Sequence, residues 1–203
     1  VSVVAATKTR SAEEVRQAIR AGVDIIGENY VQEARSKCEE VGEIADQAEW
    51  HMIGHLQRNK INKALPIFDL IQTVDSPRLA RGIDKRAESA MPVFIQVNIA
   101  GEESKYGVSV EDARNLAELV AELPSLRLTG LMTMEPYFED SERARPYFRR
   151  MKQLYDELRA EDRPGKQLKT LSMGMTNSYR VAIDEGATMV RVGTAIFGPR
   201  NQG

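Results

Sequence analysis

The sequence predicts an α/β protein and, within that class, a closed (β/α)8 barrel of the TIM-barrel type. Short apolar runs rich in β-branched residues alternate with amphipathic runs from one end of the chain to the other. This alternation requires a parallel sheet covered by helices, and eight such units in 203 residues are near the lower size limit for a closed barrel. A doubly wound open sheet is the alternative. No Gly-x-Gly-x-x-Gly motif follows any predicted strand, which argues against dinucleotide binding.

The predicted strands are the apolar runs, and the first of them is expected to be buried on both faces. In chain order the strands are predicted at Ser2–Thr7, Ile25–Glu28, Trp50–Gly54, Leu70–Val74, Val93–Asn98, Leu126–Met134, Leu168–Met173 and Met189–Val192. The helices between them are predicted at Ala12–Ala21, Tyr30–Val41, Asn59–Ala64, Pro77–Ser89, Val110–Leu123, Ser141–Glu161 and Asn177–Glu185. A Ser/Glu capping box opens the first helix. Glycine or proline follows four of the helices, at Gly22, Pro124, Pro164-Gly165 and Gly186.

Composition narrows the function classes. The chain is 42% hydrophobic and 29% charged, which is typical of a soluble globular protein, and residues 1–203 are expected to form one domain. No apolar run approaches the ~20 residues that span a bilayer. A net charge of -2 gives no reason to expect nucleic acid or an anionic membrane as a partner. The single cysteine, Cys38, excludes an internal disulfide and fits a cytoplasmic location.

Lys8 is the first candidate functional residue. It follows the small and β-branched run Val3–Ala6 and precedes the helix that Ser11 caps, so it lies at the C-terminal end of a predicted strand. In an α/β barrel the loops at that end of the strands converge on one mouth, where chemistry takes place. The alternative is an ordinary surface lysine at a strand end.

Two loops near the C-terminus predict a phosphate site. The loop after the seventh strand runs from Ser172 through Gly174, and the loop after the eighth contains Gly193 and Thr194. Barrels of this type commonly bind phosphate between these two loops. We therefore expect the Ser172 and Thr194 hydroxyls and the Gly193 and Thr194 amides to be donors, although tight turns alone would also explain these residues.

Arg191 lies within the eighth strand, and strand alternation directs it to one face of the sheet. A strand-end lysine, a phosphate site and an inward arginine suggest a phosphorylated aldehyde held as a Schiff base on Lys8, with Arg191 bonded to a ring heteroatom. Asn29 follows the second strand, where it either reaches the mouth or caps the next helix. His51 and His55 are four residues apart on a strand and its exit, with no third ligand nearby, so no metal site is predicted.

An ordered set of motifs carries a family resemblance over essentially the whole chain. The motifs are Ala6-Thr7-Lys8-Thr9, Gly27-Glu28-Asn29-Tyr30-Val31-Gln32-Glu33, Trp50-His51-Met52-Ile53-Gly54-His55-Leu56-Gln57-Arg58-Asn59-Lys60, Gln96-Val97-Asn98 with Lys105, Gly130-Leu131-Met132, Ser172-Met173-Gly174-Met175 and Val190-Arg191-Val192-Gly193-Thr194-Ala195-Ile196-Phe197-Gly198. In this set the chain resembles the pyridoxal 5′-phosphate homeostasis protein family, the single-domain relatives of the alanine racemase N-terminal barrel. The resemblance implies a fold-type III barrel that binds pyridoxal 5′-phosphate (PLP).

The resemblance also implies a role for each candidate residue. Lys8 matches the Schiff-base lysine, and Arg191 matches the arginine that faces the pyridine nitrogen. Asn29 matches a pocket asparagine near the ring. The phosphate-loop positions are matched by Ser172, Gly193 and Thr194. No catalytic residue is implied.

The function implied by the resemblance is PLP homeostasis. Members are cytosolic and largely monomeric, and they are thought to buffer PLP or to deliver it to apo-enzymes without an established reaction. An arginine cannot give its proton to the pyridine nitrogen, which makes the ring a poor electron sink and disfavours carbanion chemistry. The chain departs from the family at Ser178, where an acidic residue is usual, and it is expected to lack the family's N-terminal helix.

Three other functions remain open from the residues. A PLP-dependent amino-acid racemase would need a second acid/base, and the tyrosines near predicted strand exits are Tyr30, Tyr106 and Tyr137. A Schiff-base aldolase acting on a sugar phosphate would need acid/base carboxylates at strand ends, for which Glu28 and Glu135 are the candidates. A scaffold role would make these loops accidental.

Overall fold

A computed structural model of the chain describes residues 1–161 and 165–199, and its eight parallel strands close into a barrel in chain order. The strands are β1 Ser2–Ala6, β2 Ile25–Glu28, β3 Glu49–Met52, β4 Leu70–Val74, β5 Met91–Val97, β6 Leu126–Thr133, β7 Lys166–Ser172 and β8 Met189–Val192. Pairing of Val3 with Val190 joins β1 to β8 and closes the ring. The predicted barrel is therefore confirmed, and the open sheet is excluded.

The helices cover the outside of the barrel. They are α1 Ala12–Arg20, α2 Val31–Val41, α3 Ile61–Ala64, α4 Pro77–Asp84, α5 Val110–Glu122, α6 Arg145–Ala160, α7 Tyr179–Asp184 and α8 Thr194–Phe197. Three 3-10 segments occur in addition, at Gly42–Gln47, Arg58–Lys60 and Ser141–Ala144. In the part of the chain that the structure describes, no helix is both long and apolar enough to cross a membrane.

Several helix boundaries differ from the predicted ones. Helix α4 ends at Asp84 rather than at Ser89, and the short helix α8 was not predicted. Helix α7 begins at Tyr179, two residues later than predicted, because Ser178 first closes a turn by donating its backbone N–H to Met175 at 2.9 Å. The predicted stop at Pro164 and the domain end at residues 200–203 lie outside the described residues.

Two apolar cores follow from the alternation of side chains along the strands. The barrel interior is filled by the side chains of Val4, Ile25, Ile53, Phe94, Met132 and Met189. The larger core lies between barrel and helices and includes Ala5, Ile26 and Trp50. Val4 and Ala6 thus pack against the interior core while Ala5 packs outside it. Lys8 is two residues beyond Ala6, and this spacing brings it to the mouth of the barrel.

Candidate functional site

A cavity of about 460 Å³ lies at the mouth formed by the C-terminal ends of the strands. Side chains and loops that follow β1, β2, β3, β6, β7 and β8 contribute to it. Its lining residues are Ala6, Lys8, Arg10, Asn29, Ile53, Met134, Tyr137, Met175, Thr176, Asn177, Arg191, Gly193 and Thr194. The cavity therefore brings together five of the six predicted site residues from opposite ends of the sequence.

The backbone around Lys8 is held on both sides. The Thr7 N–H donates to Gly27 O at 3.0 Å, and the Thr7 carbonyl accepts from the Arg10 N–H at 3.0 Å. Thr9 has a φ of 66°, a left-handed conformation that is uncommon for a residue other than glycine. These constraints direct the Lys8 side chain into the mouth.

A buried ionic cluster on the outer face of the barrel supports the same strand end. Lys37 of α2 donates from Nζ to Thr7 O at 2.5 Å and pairs with Glu28 Oε1 at 2.5 Å. The Thr7 hydroxyl also donates to Glu28 Oε1 at 2.5 Å. Burial raises the pKa of Glu28 above its ordinary value, while the hydrogen bonds from Lys37 and Thr7 oppose that rise. Because Glu28 contacts Lys37 and does not line the mouth cavity, it is not placed to act there as an acid or base.

Arg191 lies at the base of the mouth, where only 5% of it is exposed. Its Nη1 donates to Ser172 Oγ and its Nη2 donates to Thr133 O, both at 2.7 Å. Burial lowers the pKa of Arg191 below its ordinary value, and the carboxylate of Glu135 opposes that change. A guanidinium keeps its proton even so, which leaves a fixed positive charge and hydrogen-bond donors at this end of the cavity.

Ser172 occupies a deeper position than the one expected for a phosphate contact. It is the last residue of β7, is fully buried and does not line the mouth cavity. Its hydroxyl accepts from Arg191 Nη1 and donates to Gln72 Oε1 at 2.7 Å. Direct contact between Ser172 and a phosphate stays a prediction, and the hydrogen bonds that the structure gives it support Arg191 instead.

The loops after β7 and β8 contact each other directly. The Gly193 N–H donates to Thr176 Oγ1 at 3.2 Å, and the Arg191 N–H donates to Gly174 O at 3.0 Å. Gly174 has a φ of +94°, and a Cβ there would lie 2.5 Å from the Cβ of Ala182, so only glycine fits. Thr194 is exposed at the rim and lines the cavity. The expected phosphate loops are thus adjacent, and the Gly193 N–H donates to the Thr176 hydroxyl of the neighbouring loop.

Ser178, the position where the chain departs from the family pattern, contacts a buried carboxylate. Its hydroxyl donates to Glu135 Oε1 and accepts from the Met175 N–H at 3.0 Å. Glu135 is only 2% exposed, and its Oε2 has no hydrogen-bond partner in the described part of the chain. An acidic residue at position 178 would place two carboxylates side by side here, so a hydroxyl is the compatible partner.

Several cavity residues were not singled out from the sequence as ligand contacts. Arg10 donates from Nη1 to Phe197 O at 3.1 Å and from Nη2 to Gly198 O at 2.5 Å, so it joins the first loop of the barrel to the last. In the sequence, its position two residues after Lys8 is the feature that indicates a place at the mouth. Tyr137 and Asn177 also line the cavity, and they follow strands whose ends had been recognised.

A second cavity of about 550 Å³ adjoins the first and shares Asn29, Ile53 and Met134 with it. On its wall the rings of His55 and Tyr106 stack with centroids 3.9 Å apart. His51 is buried and does not line this cavity. Within residues 1–161 and 165–199, no group of three or more His, Cys, Asp or Glu side chains is arranged to hold a metal.

Comparison with known proteins agrees with this geometry. The sequence profile of the alanine racemase N-terminal domain matches residues 2–201. The pyridoxal phosphate homeostasis protein of Aquifex aeolicus (strain VF5) is 43% identical over 198 residues, covering 96% of this chain and 85% of that protein. The protein of the same name from Escherichia coli (strain K12) is 38% identical over 205 residues, covering 99% and 86%. The fold is thus that of an alanine-racemase-like barrel.

Within that class, the chain belongs to the pyridoxal phosphate homeostasis protein family. The structure of PipY from Synechococcus elongatus PCC7942 with PLP bound superposes with a TM-score of 0.87 at 33% identity, covering 98% of this chain and 92% of that one. Alanine racemase from Corynebacterium glutamicum superposes with a TM-score of 0.77 at 16% identity, covering 98% of this chain and 57% of that one. The racemase likeness concerns the fold alone.

Proposed function

We propose that this protein binds pyridoxal 5′-phosphate at the barrel mouth, holds it on Lys8 and serves in PLP homeostasis as a buffer or donor. The single observation that carries the proposal is the placement of Lys8 and Arg191 in one cavity that the two predicted phosphate loops also line, next to the end of β1. The homeostasis names of the close relatives and the PLP-bound PipY structure support the same ligand.

The donor set fits this cofactor. A primary amine on Lys8 suits an aldehyde, and the Arg191 guanidinium suits a ring nitrogen that stays unprotonated. The Thr176 and Thr194 hydroxyls lie at the rim, where a phosphate would meet them. A Cβ at position 193 would be 3.2 Å from Ala6 O, so glycine lets the loop after β8 pack closely against the end of β1. The proposed PLP contacts are Lys8, Asn29, Arg191, Gly193 and Thr194, and Ser172 is proposed to act through Arg191, which donates to its hydroxyl.

The residues favour storage over catalysis. When bound, PLP would supply an aldehyde for reversible covalent attachment and a ring that withdraws electrons only when its nitrogen is protonated. The permanently charged Arg191 cannot provide that proton. Glu28 lies on the outer face, and Glu135 is buried against Ser178. The proposal also includes a single domain over residues 1–203, a monomeric state, a cytoplasmic location and delivery of PLP to apo-enzymes. These parts of it rest on the family resemblance.

The test is attachment to a defined lysine. We expect the protein mixed with PLP to develop a visible absorbance band, and borohydride followed by peptide mapping to find the adduct on Lys8. Lys8→Ala should lose the band, whereas Lys63→Ala, which removes an exposed lysine from α3, should keep it. Adducts spread over surface lysines, or a Lys8→Ala variant that still gives the band, would refute the proposal.

Amino-acid racemisation is the second candidate because Tyr137, one of the three tyrosines named from the sequence, lines the same cavity as Lys8. A racemase would exchange the α-proton of alanine with solvent deuterium and would lose this exchange in Tyr137→Phe. We expect no exchange in the PLP-loaded protein. Exchange that depends on Tyr137 would replace storage by catalysis as the function.

A further inference from the structure

A continuous line of buried polar side chains runs through the barrel interior from Arg191 at the mouth to the opposite end. Arg191 Nη1 lies 2.7 Å from Ser172 Oγ, which lies 2.7 Å from Gln72 Oε1. Gln72 Nε2 lies 3.0 Å from His51 Nδ1, and His51 Nε2 lies 3.2 Å from Glu49 Oε2. Gln72 is fully buried on β4 and His51 is 1% exposed on β3. No residue of this line beyond Ser172 belongs to the proposed PLP contacts.

All four hydrogen bonds of this line run in the same direction. Arg191 can only donate, so Ser172 accepts from it and directs its own hydrogen to the Gln72 oxygen. The Gln72 amide then presents its N–H to His51 Nδ1, which must accept. The imidazole therefore carries its proton on Nε2 and donates it to Glu49. This direction follows from the Gln72 amide, whose oxygen faces Ser172 and whose nitrogen faces His51.

Acidic side chains surround the far end of the line. A cavity of about 590 Å³ at the N-terminal ends of the strands is lined by His51 together with the carboxylates of Asp24, Asp46, Glu49 and Asp69. The Glu49 side chain is 67% exposed. Burial lowers the pKa of His51, and the acidic groups around it, Glu49 first, oppose that change. The neutral imidazole that the line requires is thus favoured by its burial.

We propose that Gln72 and His51 are positioning residues that orient the Arg191 guanidinium for the cofactor through Ser172. The protonation state of His51 sets the direction in which the hydrogen bonds between these residues run. This inference rests on the proposed function of the mouth. A second proton on His51 would place an N–H against the Gln72 amide N–H. The amide would then turn over, and the Ser172 hydroxyl would lose the acceptor for its hydrogen. Arg191 would be held less firmly.

The first experiment uses the protein without cofactor, so it does not depend on PLP binding. Nitrogen-15 NMR at neutral pH should show the His51 proton on Nε2, and Gln72→Met should shift the His51 Nδ1 resonance. Thr73→Val is the matched control, because it removes a buried hydrogen bond from the next residue of β4, to Gly54 O at 2.7 Å, outside the line. A proton on Nδ1 in the wild type, or an unchanged His51 signal in Gln72→Met, would overturn the proposal.

The second experiment measures the dissociation constant of PLP. We expect Gln72→Met to raise it about tenfold, because the Ser172 hydroxyl loses its acceptor, and Thr73→Val to leave it within about threefold. The wild-type constant should also rise as pH falls through the NMR titration of His51, and Gln72→Met should lack that step. Equal constants and pH profiles in wild type, Gln72→Met and Thr73→Val would overturn the positioning role. If PLP does not attach to Lys8 in the wild type, the proposed function is refuted, whereas the NMR result is unaffected.

Discussion

Removal of the Lys37 amine should destabilise the protein by about 3–5 kcal/mol, the usual effect of breaking a buried ion pair. The size follows from the geometry, because the Lys37 side chain is 9% exposed and Glu28 is fully buried. Lys37→Met would remove two contacts of 2.5 Å, one to Glu28 and one to Thr7 O. The Glu28 carboxylate would keep only the Thr7 hydroxyl, and Glu28 Oε2 has no partner in the described residues even in the intact chain.

Urea unfolding followed by the fluorescence of Trp50, the single tryptophan, measures the effect. A double variant, Lys37→Met with Glu28→Leu, should recover more than half of the loss, because no buried charge is then left unpaired. Lys63→Met, at an exposed lysine, should change the free energy of unfolding by less than about 0.5 kcal/mol. A loss below about 1 kcal/mol in Lys37→Met, or a double variant less stable than the single one, would refute this reasoning.

Three further predictions concern other parts of the molecule. Burial lowers the pKa of His51, so the unfolded chain takes up a proton on this histidine at a higher pH than the folded protein does. The free energy of unfolding should therefore fall as pH drops below about 6.5, and in His51→Gln, measured by urea unfolding at several pH values, it should depend less steeply on pH. Burial raises the pKa of Cys38 to about 12, so a thiol reagent at pH 8 should modify it slowly in the native protein and fast in urea; equal rates would contradict this. In thermal unfolding, Gly174→Ala should destabilise the protein by about 1–3 kcal/mol more than Gly22→Ala does. Both glycines have positive φ, but only a Cβ at position 174 would meet another side chain.

The fold could be predicted because each strand is a separate apolar run and each turn carries its own punctuation. The capping box at Ser11 and the positive φ of Gly186 are local features, and both are present in the structure. Boundaries were less predictable where tertiary contacts decide them. The start of α7 depends on Ser178, whose hydroxyl is directed to Glu135 on another strand exit.

The candidate site was predictable in its positions and less so in its contacts. Lys8 and Arg191 reach the cavity because strand alternation and strand ends follow from local sequence. The partner of Ser172 could not be found in this way, since Gln72 lies 100 residues earlier in the chain and meets it only when the barrel closes. Glu28 is a candidate acid or base from the sequence, but it shares the outer face of β2 with Ile26 and pairs there with Lys37 of the next helix.

The contact between Arg10 and the Phe197 carbonyl, 187 positions later, has a consequence for the order of events during synthesis. Lys8, the lysine that would receive the cofactor, leaves the ribosome long before Gly193 and Thr194. Until β8 pairs with β1, an emerging chain offers the amine without the neighbouring wall of the cavity, which the loop after β8 forms. The complete cavity therefore forms only after β8 has been synthesised and has paired with β1.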